Sequence, residues 1–135
     1  MTKRNILLDT SVLIAIENKQ LNIKQAVSPD IWPILPSIAY AEVSLGIKLD
    51  TNLNRAKLKQ DSLDYIKSLC VFKSFGEVEA GHLAELIAHT NKVGKKRGKY
   101  DLIIAAIARA NDATIITHDR KAKFEGLPGV KVREI

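Results

Sequence analysis

The stretch Ile6-Leu7-Leu8-Asp9-Thr10-Ser11-Val12-Leu13-Ile14-Ala15-Ile16-Glu17 decides how the chain is read. An apolar run stops on an aspartate, two hydroxyl residues follow, and a second apolar run begins at once. The pattern predicts a strand over residues 6–8 that turns directly into a helix over residues 12–17, with Asp9 at the mouth of the turn. Taken alone, Asp9 reads as a helix N-cap, because Asp, Thr and Ser all satisfy free backbone N–H groups at such a start. Only the rest of the chain can overturn that reading.

Outward from this stretch, strand and helix patterns alternate. A loop-rich segment with Pro29 and Pro33 leads to a strand near Ile34 and Leu35. Ser37 then reads as the N-cap of a helix over 38–48, a charged helix follows over 52–68, and a strand covers 70–72. A helix over 78–92 sets Ala80, Leu83, Ile87 and Thr90 on one face. The run DLIIAAIARA, 101–110, is apolar nearly all round, the mark of a helix buried on several sides. Strands are expected over 114–117 and 130–132. Alternation of this kind implies right-handed crossovers and a parallel sheet covered on both faces, an α/β fold. No repeat, low-complexity tract or long linker divides the chain, so one domain is expected over residues 1–135.

The totals fit a compact protein with a real core: 135 residues, 46% hydrophobic and 27% charged. No apolar stretch approaches the ~20 residues of a membrane span. The run after MTKRN is shorter than the ~7–15 residues of a secretory signal, so a cytoplasmic protein is expected. The single cysteine, Cys70, excludes an internal disulfide and a cysteine-cluster zinc site, and its apolar setting reads as an inert buried thiol. Twenty-one Lys and Arg against 15 Asp and Glu give a formal charge of +6, which suits a polyanionic partner without requiring one.

Strands of a parallel sheet all end at one edge, where ligands bind. Four acids fall there: Asp9 after the first strand, Glu42 about one turn into the helix after the second, Asp101 at the start of the buried helix, and Asp119 just past the fourth strand. Each has a plainer reading. Glu42 shares a face with Ile38 and Leu45, where a carboxylate is costly unless paired, protonated or bound to a cation, but it can also bend to solvent. Asp101 suits the helix macrodipole, and Asp119 suits a turn. Together they are harder to dismiss, because converging carboxylates repel one another unless a cation intervenes. Mg²⁺ or Mn²⁺ prefers such oxygen ligands. His82, His89 and His118 lack zinc-ligand spacing and read as surface or structural residues.

With these residues assembled, the chain resembles the PIN-domain ribonucleases, specifically the VapC-type toxins of toxin–antitoxin pairs. The resemblance rests on LLDTSVLIA, YAEVSLGI around Glu42, YDLIIAAIA after Asp101 and IITHDRKAKF through Asp119. It implies a three-layer fold with a five-stranded parallel sheet in the order 3-2-1-4-5. It also implies an acidic pocket holding one or two Mg²⁺ or Mn²⁺ ions, cleavage of RNA, a homodimer and a separate antitoxin. Asp9, Glu42, Asp101 and Asp119 match the family's acidic positions, while Thr10, Ser11 and Thr117 resemble the hydroxyls that support its site. The segment KVGKKRGKYD is more basic than the family pattern leads one to expect. A basic rim for the RNA backbone is therefore placed on Lys95, Lys96, Arg97 and Lys99, with Arg120, Lys121 and Lys123 beside Asp119. Trp32 and Tyr40 read as packing or dimer-interface residues.

Three alternatives compete. A phosphoryl-transfer domain needs a second acid two residues after the first, where this chain has Ser11, or a receiver-type acid pair that is missing. A catalytically silent PIN-fold module for RNA binding or protein interaction keeps the fold without turnover. A PIN nuclease of RNA processing, outside any toxin–antitoxin pair, keeps the chemistry without the antitoxin.

Overall fold

The computed structural model describes residues 3–135. Strand β1, Arg4–Leu8, carries the period-2 pattern that organises everything else, since Ile6 and Leu8 face one core and Leu7 the other. It runs into α1, Thr10–Glu17, with no connecting residue except Asp9. A one-turn helix α2, Ile23–Ala26, follows, then β2, Ile31–Pro36, which passes directly into α3, Ser37–Leu49. The remainder is α4, Leu53–Leu69; β3, Val71–Lys73; α5, Glu77–Val93; α6, Lys99–Ala110; β4, Thr114–Thr117; a 3-10 turn, Lys121–Lys123; and β5, Lys131–Glu134.

All strand pairs are parallel and the order is β3-β2-β1-β4-β5. One face packs with α1, α3 and α4 through Leu13, Leu35, Val43, Leu63 and Ile66. The other packs with α5 and α6 through Ile34, Leu86, Ile104, Ile107 and Ile115. Each such fully buried side chain contributes about 1.5–3 kcal/mol through removal from water. The chain reverses its direction of travel across the sheet between β1 and β4. That switch point opens a crevice at the strands' carboxyl ends.

The elements depart from the sequence expectation in ways that have physical causes. β2 begins at Ile31 and contains Pro33, because β3 pairs only with Ile34–Pro36 and leaves Pro33 a neighbour on the β1 side alone. Pro36, in extended backbone, is the N-cap of α3 in place of Ser37. α6 starts at Lys99, so Asp101 is its third residue and not its opener. On α5 the buried residues are Leu86 and Thr90, and Ile87 is 40% exposed, so the inward face is rotated from the expected one by the packing against α6. α6 itself buries Leu102 and every residue from Ile104 to Ala108, as an all-round apolar helix should.

Candidate active site at the carboxyl edge

Asp9 has the extended backbone of an N-cap, but its side chain makes no capping hydrogen bond. The carboxylate is instead turned into the crevice. Its Oδ2 accepts from Ser11 Oγ at 2.8 Å and from Thr117 Oγ1 at 2.9 Å, which ties the end of β1 to the end of β4. Ser11 Oγ in turn accepts from the backbone N–H of His118, and Thr117 Oγ1 from that of Asp119. Two of the three hydroxyls expected to support the site, Ser11 and Thr117, therefore form a lattice that fixes one oxygen of Asp9. The other oxygen, Oδ1, is buried and has no hydrogen-bond partner. An unpartnered buried carboxylate oxygen is costly, and a cation placed against it would offset that cost.

Three of the four acids meet around one ammonium. Lys123 Nζ lies 3.3 Å from Asp101 Oδ1, 3.5 Å from Asp119 Oδ2 and 3.7 Å from Asp9 Oδ2. Burial works against the charged lysine, but the carboxylates of Asp9, Asp101 and Asp119 outweigh it and hold the ammonium above the ordinary lysine range. Asp119 is held below the usual carboxylate range chiefly by the Arg120 backbone N–H, 2.7 Å from its Oδ1, against burial and with help from Lys123. Glu42 stands apart from the ammonium and accepts from Thr10 Oγ1 at 2.8 Å. Its helix face is not the expected one: α3 buries Ala39, Val43 and Ile47, while Leu45 is 57% exposed, so Glu42 sits at the margin of the core.

A cleft of about 500 Å³ opens between Glu42 and Asp101, lined also by Gly98, Lys99 and Tyr100. Gly98 carries no signal in the sequence, and Tyr100 enters it only as the first residue of YDLIIAAIA. A Cβ at Gly98 would stand 2.8 Å from Asp101 Oδ2, so the glycine makes room for that carboxylate. Tyr100, half-exposed, presents an aromatic ring to the cleft. Lys95, Lys96, Lys99, Arg120 and Lys121 are exposed. Arg97 is engaged elsewhere, donating to the backbone carbonyls of Lys123 at 2.7 Å and Glu125 at 2.5 Å. Lys123, grouped by sequence with the rim, lies among the acids. Tyr40 packs edge-on against Phe72, and burial pushes the Cys70 thiol up to about 12. His82 accepts from Arg109, and His118 meets the carbonyl of Ile135.

The donor set is all oxygen, which suits a hard divalent ion, and the bare Asp9 Oδ1 gives such an ion an unclaimed ligand. The acids stand at the spacing of an ammonium, however. Among the described residues no group of three His, Cys, Asp or Glu side chains is gathered tightly enough, as it stands, to hold a metal.

Residues 6–127 match the PIN domain family. The chain belongs to that family. Within the PIN domains it is 31% identical over 127 residues to a Ribonuclease VapC of Rickettsia bellii, covering 94% of this chain and 93% of that protein. The PIN fold is shared with a chain of the VapBC2 complex of Rickettsia felis, solved on a DNA fragment from its promoter, at a TM-score of 0.86 and 21% identity over 97% of this chain and 98% of that one. A chain of the VapBC-5 toxin–antitoxin structure from Mycobacterium tuberculosis superposes at a TM-score of 0.80 and 25% identity, over 97% and 98%. This PIN domain is accordingly of the VapC kind. Among its described residues no helix is long and apolar enough to cross a membrane.

Proposed function

We propose that this PIN domain is a metal-dependent endoribonuclease and the toxin of a toxin–antitoxin pair. The observation that carries the reading is the buried, unpartnered Oδ1 of Asp9 at the switch point of the sheet, beside the carboxylates of Asp101 and Asp119. Its VapC relative supports cleavage of RNA, and the VapBC complexes support a separate antitoxin. Exposed apolar side chains on α3 and α4, among them Leu45, Leu49, Leu53 and Leu58, offer surface for the antitoxin and for a second copy of the chain.

Asp9 and Asp101 would be the most direct ligands for Mg²⁺ or Mn²⁺, and Glu42 and Asp119 would complete the site directly or through water. Such an ion supplies an activated water and offsets negative charge at the phosphoryl group. The protein does the rest. Ser11 and Thr117 fix Asp9 so that its free oxygen stays aimed, and Thr10 fixes Glu42. The cleft beside Tyr100 and Lys99 seats the strand, and Lys95, Lys96, Arg120 and Lys121 draw in its phosphates, because an acidic centre alone repels RNA.

The test is cleavage of total RNA by purified protein freed of any partner, with Mn²⁺, Mg²⁺ or EDTA, beside Asp101→Asn. Discrete metal-dependent fragments that the variant fails to produce are expected. Intact RNA after incubation with folded wild-type protein sinks the nuclease. It would install the silent binding module, a reading favoured by the ammonium that stands among the acids.

A further inference from the structure

The centre of the acidic cluster is claimed by a group the proposed chemistry does not use. Lys123 sits four residues beyond Asp119, in the 3-10 turn Lys121–Lys123, yet its ammonium meets carboxylates from three separate elements: the end of β1, the first turn of α6 and the loop after β4. The backbone that delivers it is pinned from two directions. Arg97 grips the carbonyls of Lys123 and Glu125, and Phe124, fully buried, anchors the turn in the core under α6. The ammonium also lies 5.6 Å from the centroid of the Phe124 ring.

The ion pairs themselves are loose. At 3.3–3.7 Å they exceed the ~2.7–2.9 Å of a tight charge-assisted hydrogen bond, so the ammonium is shared by three acids and locked to none. A divalent ion seeks the same oxygens at about 2.0–2.1 Å and repels a neighbouring positive charge. Both cations cannot hold the centre together. A lysine side chain has enough rotatable bonds to swing out while its backbone stays clamped.

We propose that Lys123 is a built-in counter-cation that competes with the divalent metal for Asp9, Asp101 and Asp119. Without metal the ammonium offsets one of the cluster's three negative charges and gathers its carboxylates around itself. Metal binding displaces it toward solvent. Lys123 is thus a positioning residue that sets the metal concentration at which the site loads. This inference rests on the metal-dependent reading above.

The test uses Lys123→Met, which keeps the stem and removes the charge, with Lys123→Arg as the conservative variant. Two quantities are read: the Kd for Mn²⁺ by titration calorimetry, and the Tm in EDTA and in saturating Mn²⁺. Lys123→Met is expected to bind Mn²⁺ about tenfold or more tightly than wild type and to gain more Tm from Mn²⁺, since stabilisation by a ligand grows with its affinity. Its Tm in EDTA falls, because three carboxylates lose their counter-charge. Lys123→Arg restores wild-type affinity and EDTA stability. An unchanged or weaker Mn²⁺ affinity in folded Lys123→Met overturns the inference and leaves the nuclease reading standing. Absence of Mn²⁺ binding in wild type, Lys123→Met and Lys123→Arg alike overturns the metal-dependent reading and this inference with it.

Discussion

Asp9 and Asp50 are both aspartates with almost completely covered side chains, 1% and 4% exposed, and the protein treats them in opposite ways. Asp50, the C-cap of α3, has every acceptor engaged: Arg55 grips both oxygens at 2.7 Å, the Asn52 backbone N–H donates at 3.0 Å, and Lys59 stands 3.4 Å away. Its partners are all close in sequence and join α3 to α4. Arg55, above all, holds its carboxyl well below the usual carboxylate range. Asp9 has one oxygen crowded by the hydroxyls of Ser11 and the distant Thr117, and one left bare. A carboxylate satisfied on all sides belongs to the fold. One that is oriented but incompletely satisfied is prepared for something from outside.

Replacing each by asparagine should separate the two most sharply. Asp9→Asn is expected to cut metal-dependent RNA cleavage at least ~100-fold, since disturbing even the outer partners of metal ligands typically costs ~10–100-fold. Its Tm should stay close to wild type, because relief of repulsion among the acids offsets the weaker attraction to Lys123. Asp50→Asn should do the reverse, with cleavage by the folded protein retained and a lower Tm. If the two variants show the same balance of reduced activity and reduced stability, the distinction fails.

Acid titration sharpens the comparison. The folded-state pKa of Asp50 is depressed, so its stabilisation is fully present above the unfolded value of ~3.9 and disappears as pH falls through the folded one. The Tm gap between wild type and Asp50→Asn should therefore be constant near pH 7 and close steadily below about pH 4. Thermal melts across this range give the answer directly. A gap that stays at full size down to about pH 2 would mean that Asp50 acts through packing and not through its charge.

Smaller effects probe the site's surroundings. Gly98→Ala puts a methyl against the Asp101 carboxylate, which is flexible enough to yield, so stability should change little. The carboxylate is displaced all the same, and a roughly tenfold loss of cleavage is expected, the low end of what disturbing a ligand's surroundings costs. The smallest effect belongs to the rim. Alanine at Lys95 and Lys96 should weaken RNA binding and lower the slope of log affinity against log salt by about 0.7 for each single-strand phosphate no longer neutralised. An unaltered slope removes these lysines from the interface.

Much of this architecture is legible in the sequence. Strand β1, the all-round apolar α6 and the edge that gathers Asp9, Asp101 and Asp119 follow from hydrophobic periodicity and the geometry of parallel sheets. The strand order 3-2-1-4-5 comes from family resemblance, because alternation alone allows several orders. Glu42 stands out in the sequence through a face that the structure does not bury, as Leu45 shows, although its position beside Thr10 holds. Lys123 is hidden for a different reason. In the run DRKAKF it looks like any solvated lysine, and two of its three carboxylate partners are at positions 9 and 101. Gly98 is equally silent, since its value depends on where a neighbouring side chain points.

The hydroxyl lattice on Asp9 also has a consequence for the timing of biosynthesis. Thr117, which fixes the Asp9 oxygen, follows it by 108 positions. At about 5–20 residues per second, the ribosome takes roughly 5–20 s to bridge that gap. Until β4 has emerged and inserted beside β1, Asp9 is held by no group from the far half of the chain, and Asp101, Asp119 and Lys123 have nothing to converge upon. The site therefore assembles only after β4, its last contributing strand, has left the ribosome and paired with β1.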